Sequence, residues 1–503
     1  MKILVLSDLG QPVYHVGDEA MGIAAADEMT ARGHKVVFAT RSAEHSQQMI
    51  GTGAGYIPTL EFPWPPAERE VFLDDLRRYL FHEERSDPAS EQQLRFDRFV
   101  ADVSSVDAVL IAGGGNMNSR YGWLLYERAA LAMTARFLGK PLVVSGQSVG
   151  PVLTEHDAHI LTELLNSAQL VGMREQTSQT WCAERGIVST AGIDDAVFYR
   201  PQQRTLAGSP TFENFPEGDY LSVTLNGLSE KQTERIAALL DRIFVSTGLR
   251  SVFVPHMGNP EFQDGDVHTH SAVAALMESP TTVVPLVHAD QAAELHRRAS
   301  IVLTTRYHPA VLAMAYGVPA MGLIPDAFTD IRLSGALAHF GLEDFAIPLA
   351  LLTAESTFEA FSELVERRSY LSEQLRPRGE QLREFESKWW DDVAATFAGE
   401  RVSPEGVSRA DSLSSAGRSQ ENSGWQKFNS EIRAEFSALS LEAHQAEANL
   451  DRALTWDAVH VRERDEFRSS TEALNAARRR GVQGYLRRVN TARRVILNRL
   501  FRR

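Results

Sequence analysis

The chain has 503 residues, 43% hydrophobic and 23% charged, with a net charge of −15 and one cysteine. This length predicts two or three domains, and the lone Cys182 leaves no internal disulfide and argues against a cysteine-built zinc site. No apolar run approaches the roughly 20 residues that span a bilayer, and the acidic body argues against non-specific nucleic-acid binding.

The opening "MKILVLSDLG" breaks at Asp8 and has no small-residue cleavage site, so it reads as a first strand rather than a signal peptide. With one cysteine, the compartment expected is the cytoplasm. "EAMGIAAADEMTARG" has helical spacing, and "HKVVFAT" is strand-like again, which makes a βαβ unit. The alternation recurs through "VDAVLIAGGG", "RAALAMTARFLGKPLVVSGQ" and "AQLVGMRE". Strands without polar alternation, separated by helices, predict a parallel sheet covered on both faces.

"RPQQRTLAGSPTFENFPEGD" breaks the pattern and marks a boundary; a second strand-helix series then runs from "YLSVTLNG" to "IVLTT". The reading is an α/β chain of two doubly wound Rossmann-like domains facing a cleft, residues 1–200 and 215–350. Residues 351–400 read as amphipathic helices on the core and 401–425 as a polar Ser- and Gly-rich linker. Residues 426–503 read as a helical extension, with self-association through it as one use, ending in ten arginines and no acid from Arg478 on. The arginines alternate with apolar residues. They suit either a solvated basic helix or a helix lying on an anionic membrane surface.

Polar motifs fall at the strand ends, where such sheets bind ligands. "YHVGDEAM" offers Gly17, Asp18 and Glu19; Asp18 is either a helix cap or a base. "AGGGNMNS" offers Gly114, Gly115 and Asn116, as a tight turn or as backbone donors for an anion. Gln147 and Ser148, Arg174, and the pair Asp194 and Asp195 follow three further strands. In the second domain His256 ends one strand, and Arg306 and His308 end another. Two apart in an extended segment, Arg306 and His308 should share a side and suit a phosphate or carboxylate. His268 and His270 read as solvated surface, and no metal ligand set is expected.

The ordered set HVGDEA, AGGGN, GQSVGP, RE, DDAVF, PH and TRYHPAVLAMAYGVP resembles the polysaccharide pyruvyl transferase family over roughly residues 1–345. The resemblance implies a two-lobed GT-B-like fold. It implies transfer of a pyruvyl group from phosphoenolpyruvate to a sugar of a cell-wall or exported polysaccharide, commonly as a ketal. It implies that Arg174, Arg306 and His308 hold the donor, with no further cofactor. His308 would protonate the methylene carbon, and Asp18 or Glu19 would take the hydroxyl proton. A lipid-linked glycan acceptor would give the basic tail a purpose at the inner face of the membrane. Two positions depart from the family pattern: His15 stands where asparagine is common, and "GLIPDAFTD" has Asp326 and no lysine. Two other readings are a nucleotide-sugar glycosyltransferase on the same fold, and an inactive member that scaffolds envelope glycan synthesis.

Overall fold

A computed structural model describes residues 1–50, 53–81, 90–205, 212, 215–353, 355–413 and 424–479, with 463–479 as helix backbone only. The arginine-rich tail beyond 479 lies outside the described residues.

In chain order the first lobe supplies β1 (Lys2–Leu9), β2 (Tyr14–His15), β3 (Lys35–Thr40), β4 (Gly55–Pro58), β5 (Ala108–Ile111), β6 (Gly114–Met117), β7 (Leu142–Val149), β8 (Leu170–Met173) and β9 (Thr190–Ala191). The second supplies β10 (Tyr220–Thr224), β11 (Arg250–Phe253), β12 (Met257–Gly258), β13 (Thr281–Val283), β14 (Ile301–Thr304), β15 (Ala320–Ile324) and β16 (Ala346–Pro348). The first sheet runs β4-β3-β1-β5-β7-β8-β9 with β6 on β7, and the second runs β13-β11-β10-β14-β15-β16. Every pairing in both is parallel. Parallel strands need helices on both faces, which is why β1, β7 and β14 are apolar runs buried almost throughout. Chain order reverses at β1 in one sheet and at β10 in the other, so each leaves a crevice at its carboxyl edge.

The lobes meet over these edges. β2 pairs antiparallel with β12, His15 against Met257 and Tyr14 against Gly258, so a backbone ribbon crosses the seam. The helix Val16–Ala31 is wedged behind it. Its Ala20, Ile23 and Ala24 pack in the second lobe's core, and Ala25 and Met29 in the first lobe's. A helix buried all round has no polar face to keep, which explains "GIAAA".

The C-terminal part binds the lobes further. The helix Arg368–Phe397 returns to the first lobe, where Trp389 and Trp390 join Ile3, Val5 and Phe38 and the Trp389 indole donates to Ser145 Oγ (2.9 Å). The expected polar linker is no free tether over 401–413. Its backbone donors find acceptors on the body, Val407 N–H on Ala191 O (2.7 Å) and Leu413 N–H on Gly341 O (2.8 Å). The long helix Gly424–Arg479 then crosses from one lobe to the other. Trp425 is buried in the second lobe and its indole donates to Glu363 (3.0 Å). Gln445 bonds both backbone groups of Leu153, and Arg452 grips Glu70 of the first lobe through both oxygens (2.7 and 2.9 Å). Among the described residues no helix is long and apolar enough to cross a membrane.

Candidate active site

The first lobe contributes a carboxylate pair with split acidity. Asp8, at the end of β1, is buried and takes hydrogen bonds from Asn116 and from Arg128 (3.0 Å). Burial lifts its pKa, but Arg128 and then Arg41 outweigh that and hold it below the ordinary carboxylate value. Its Oδ1 has no hydrogen-bond partner among the described residues. Asp18, 3.4 Å from His15 Nδ1, moves the other way: burial raises its pKa, His15 opposes, and the Asp8 charge adds to the rise. Among the described residues Asp18 makes no side-chain cap, since the helix Val16–Ala31 starts without one. Glu19 does not join this pair. Burial pushes its pKa up to about 8 and its carboxyl takes the Gly10 N–H, on the far side of the helix start.

Arg174 follows β8 and is fully buried, with Nε and Nη1 bonded inside the lobe and Nη2 toward Gly115. Nε donates to Ser148 Oγ (2.7 Å) and Glu175 Oε1 (2.9 Å), and Nη1 to Asp194. Its face lies 4.2 Å over the Tyr307 ring of the second lobe. Gln147 is a buried prop that donates to Ala112 O beneath Gly114. Asp195 is likewise a prop, accepting from Gly113 N–H and Ser145 Oγ (both 2.7 Å), with burial raising its pKa to about 7.

A further cation lies outside the strand-end motifs. Arg332, on the helix Ala327–His339, makes no salt bridge among the described residues. Its Nε donates to Phe328 O (3.0 Å) and its guanidinium lies 3.5 Å over the Phe328 ring. Burial and then the Arg174 charge lower its pKa to about 10, so the site penalises its charge until an anion arrives. Gly115 keeps the space before both arginines open: a Cβ there would lie 2.8 Å from Arg332 Nη1 and 3.1 Å from Arg174 Nη2.

His308 sits in the first turn of the helix Tyr307–Met314, against the first lobe. A Cβ on Gly17 would fall 1.8 Å from its Nδ1, so only glycine admits the imidazole. Its Nε2 is buried without a hydrogen-bond partner, 3.8 Å from Asp194. Burial pushes its pKa down to about 4; Asp194 opposes, and Arg174 and Arg332 deepen the fall.

Three expectations are corrected here. Arg306 does not share a side with His308, because the extended backbone stops at Arg306 and the helix begins at Tyr307. Arg306 instead binds Asp266 through both oxygens (2.6 Å each), a pair inside the second lobe. His256 is buried in the same lobe. Its Nε2 meets His296 Nε2 at 2.7 Å, and burial, then His296, drives its pKa well down. His270 is no surface group. On the helix Asp266–Ala274 a spacing of two puts neighbours on different faces, so His268 is exposed while His270 is buried and accepts the Leu225 N–H (2.9 Å). Asp326 caps the helix after β15 and meets Arg120 of the first lobe at 2.9 Å, so the cation beside it comes from the other lobe.

Two parallel sheets with facing crevices, and between them an arginine unpaired among the described residues, an orphaned imidazole and two carboxylates, define a two-lobed α/β protein of the GT-B architecture. Solved structures share this fold: the UDP-GlcNAc 2-epimerase of Neisseria meningitidis bound to UDP-GlcNAc (TM-score 0.50, 11% identity, 80% of this chain and 100% of that one) and sucrose-phosphate synthase of Thermosynechococcus elongatus (0.50, 14%, 79% and 99%). An S. aureus MnaA–UDP co-structure aligns equally (0.51, 12%, 81% and 100%). At such identities the likeness concerns the fold alone. No individual curated protein matches the sequence. The profile of the polysaccharide pyruvyl transferase family matches residues 15–326, and the chain belongs to that family.

Proposed function

We propose that this transferase moves the pyruvyl group of phosphoenolpyruvate onto two hydroxyls of a glycan as a ketal. The observation that carries the reading is Arg332, a half-buried cation without an acid partner among the described residues, beside the orphaned Nε2 of His308. A donor with a phosphate and a carboxylate suits Arg332 and the open backbone at Gly115.

Burial first, and then the two arginines that face it, keep His308 neutral. A bound polyanion offsets their charge and lets the imidazole gain a proton. His308 then gives that proton to the donor's methylene carbon, which becomes the methyl group, and positive charge develops at the neighbouring carbon. A sugar hydroxyl attacks there and loses its proton to Asp18, whose raised pKa makes it the stronger base of the pair. Asp8, held ionised, offers Oδ1 as a hydrogen-bond acceptor to a sugar hydroxyl. The bond to phosphate breaks, phosphate leaves with the electron pair, and the second hydroxyl closes the ring as its proton passes to phosphate.

The test is thermal shift with phosphoenolpyruvate and with UDP-sugars, followed by phosphate release in the presence of glycans. A ligand bound only by the folded protein raises its melting temperature. A shift with UDP-sugars alone would favour glycosyl transfer, and a shift with neither would favour a scaffold. The membrane role of the arginine tail rests on composition, and liposome co-sedimentation of full-length and tail-deleted chains tests it.

A further inference from the structure

A line of aromatic rings leaves the cleft at Arg332. The guanidinium covers Phe328, which is buried. Tyr121 of the first lobe meets Phe328 across the seam at 5.5 Å and Trp123 at 5.7 Å, both in inclined geometries. Trp123 stacks on Trp64 at 3.7 Å with 23° between the rings. Burial falls steadily along this line: Phe328 is 6% exposed, Tyr121 and Trp123 are half-buried, and Trp64 is 67% exposed. The Trp64 segment is held in place, since Arg69 Nη1 donates to Trp64 O (2.7 Å).

An indole this exposed gains little from burial in the free protein. Yet it is fixed in a stack that continues a catalytic cleft. The line is one ring wide and is edged by ions, the Arg120–Asp326 pair lying beside Tyr121 and Phe328. A membrane or an apolar peptide would need a contiguous apolar patch of several hundred Å², on the order of 300–600. Flat apolar faces with polar groups at the margin suit a ligand that is itself flat and apolar on its face and polar at its rim, which describes a pyranose ring.

The long C-terminal helix follows the same course. Its Ser440 accepts from Ala327 N–H beside Phe328, and its Thr455 accepts from Ala67 N–H just past Trp64. Between those two residues the helix spans about 22 Å at 1.5 Å per residue, so it runs beside the rings from end to end.

We infer that Tyr121, Trp123 and Trp64, with buried Phe328 as their footing, form the acceptor-glycan track of this enzyme, with an oligosaccharide lying along the three rings and its reacting sugar at the Asp8–Asp18 end. The inference rests on the acceptor being a glycan, not on the identity of the donor. Trp64 and Trp123 set affinity for the sugars flanking the reacting one.

The experiment uses full-length protein on a printed array of neutral and amino-sugar oligosaccharides of graded length. Wild-type chain is expected to retain glycans longer than a single sugar. Trp64→Ala and Trp123→Ala should each weaken that retention tenfold or more, while Trp64→Phe restores most of it. The thermal shift with phosphoenolpyruvate should be the same in all four proteins. Glycan retention without any donor shift would overturn the donor reading and leave the track standing. No glycan retained by the wild type, or equal retention by Trp64→Ala and Trp123→Ala, overturns the track. So does Trp64-dependent retention on phospholipid vesicles without glycan binding.

Discussion

The two lobes keep their buried ionisable groups neutral by opposite proton moves. In the first lobe they are acids: burial raises Glu19 to about 8 and Glu127 and Asp195 to about 7. In the second they are histidines: burial lowers His270, His288 and His308 to about 4 and His296 to about 3. The first lobe therefore holds protons at neutral pH and the second refuses them. Other buried charges sit in ion pairs, as Arg174 does with Glu175 and Asp194, and Asp266 with Arg306. Two more are Asp8, kept ionised by two arginines, and Arg332, kept charged against its surroundings. Both lie in the cleft, so charge is maintained against burial where a ligand can use it.

The hardest way to break this contrast is His308→Ala. Loss of the proposed acid should lower turnover by about 10²–10⁴-fold, with the donor-induced thermal shift retained. A near-normal rate would remove the acid from the scheme. Arg332→Ala should weaken donor binding roughly 10–150-fold, about 1.5–3 kcal/mol for a charged hydrogen bond, read by titration. Arg306→Ala should instead lower the melting temperature, because it leaves buried Asp266 without its cation and with only the His256 and Met257 N–H groups, and leave donor affinity nearly unchanged. A reversal of those two outcomes would move the donor to Arg306. Gly17→Ala forces a methyl into the His308 ring. It should cost about 1–3 kcal/mol of stability by denaturant unfolding, and it should impair turnover as well.

The smallest effect sharpens the comparison by pH. The first-lobe acids have folded pKa values above the unfolded 4.5 and 3.8, so their contribution is present in acid and is lost as pH rises through about 7–8. The second-lobe histidines lie below the unfolded 6.5, so theirs is present above that value and is lost as pH falls through about 4. Amide exchange should loosen β1, β5 and β7 first toward alkaline pH, and β10, β11 and β14 first toward acid. Loosening of both sheets at the same end would contradict the assignment.

The sheet pattern was legible because parallel strands are written as local apolar runs. Gly17, Asp18 and His308 could be picked out as candidates because each opens the helix that follows a strand. Arg332 could not: it lies a turn inside a helix, and its importance comes from lacking a partner, which only the folded lobes reveal. The same holds for Asp8, which reads as the residue that ends a strand until Arg128, far along the chain, arrives to hold its charge. Arg306 shows the converse. Its motif is conspicuous, but Asp266 neutralises it from a distance in sequence that no local pattern reports. The terminal helix could be recognised as a helix. Its path could not, because that path is set by contacts far apart in sequence, among them those on Glu363, Leu153 and Glu70.

The β2–β12 ribbon and this helix cross the seam at separate places, and the pair has a mechanical meaning. Two bodies joined at one point can swing in any direction; joined at two, they keep a single axis, like a door on two hinges. Here the helix Val16–Ala31, the helix Arg368–Phe397 and the Arg120–Asp326 pair cross as well, so the lobes are held against swinging. Any opening must release some of these crossings. The ribbon is held by buried backbone bonds, whereas the far end of the helix is held by Arg452 on Glu70, an arginine one-third exposed. That end also carries Trp456 on Glu70 and Thr455 on Ala67, so its release would free the outer end of the aromatic line at Trp64.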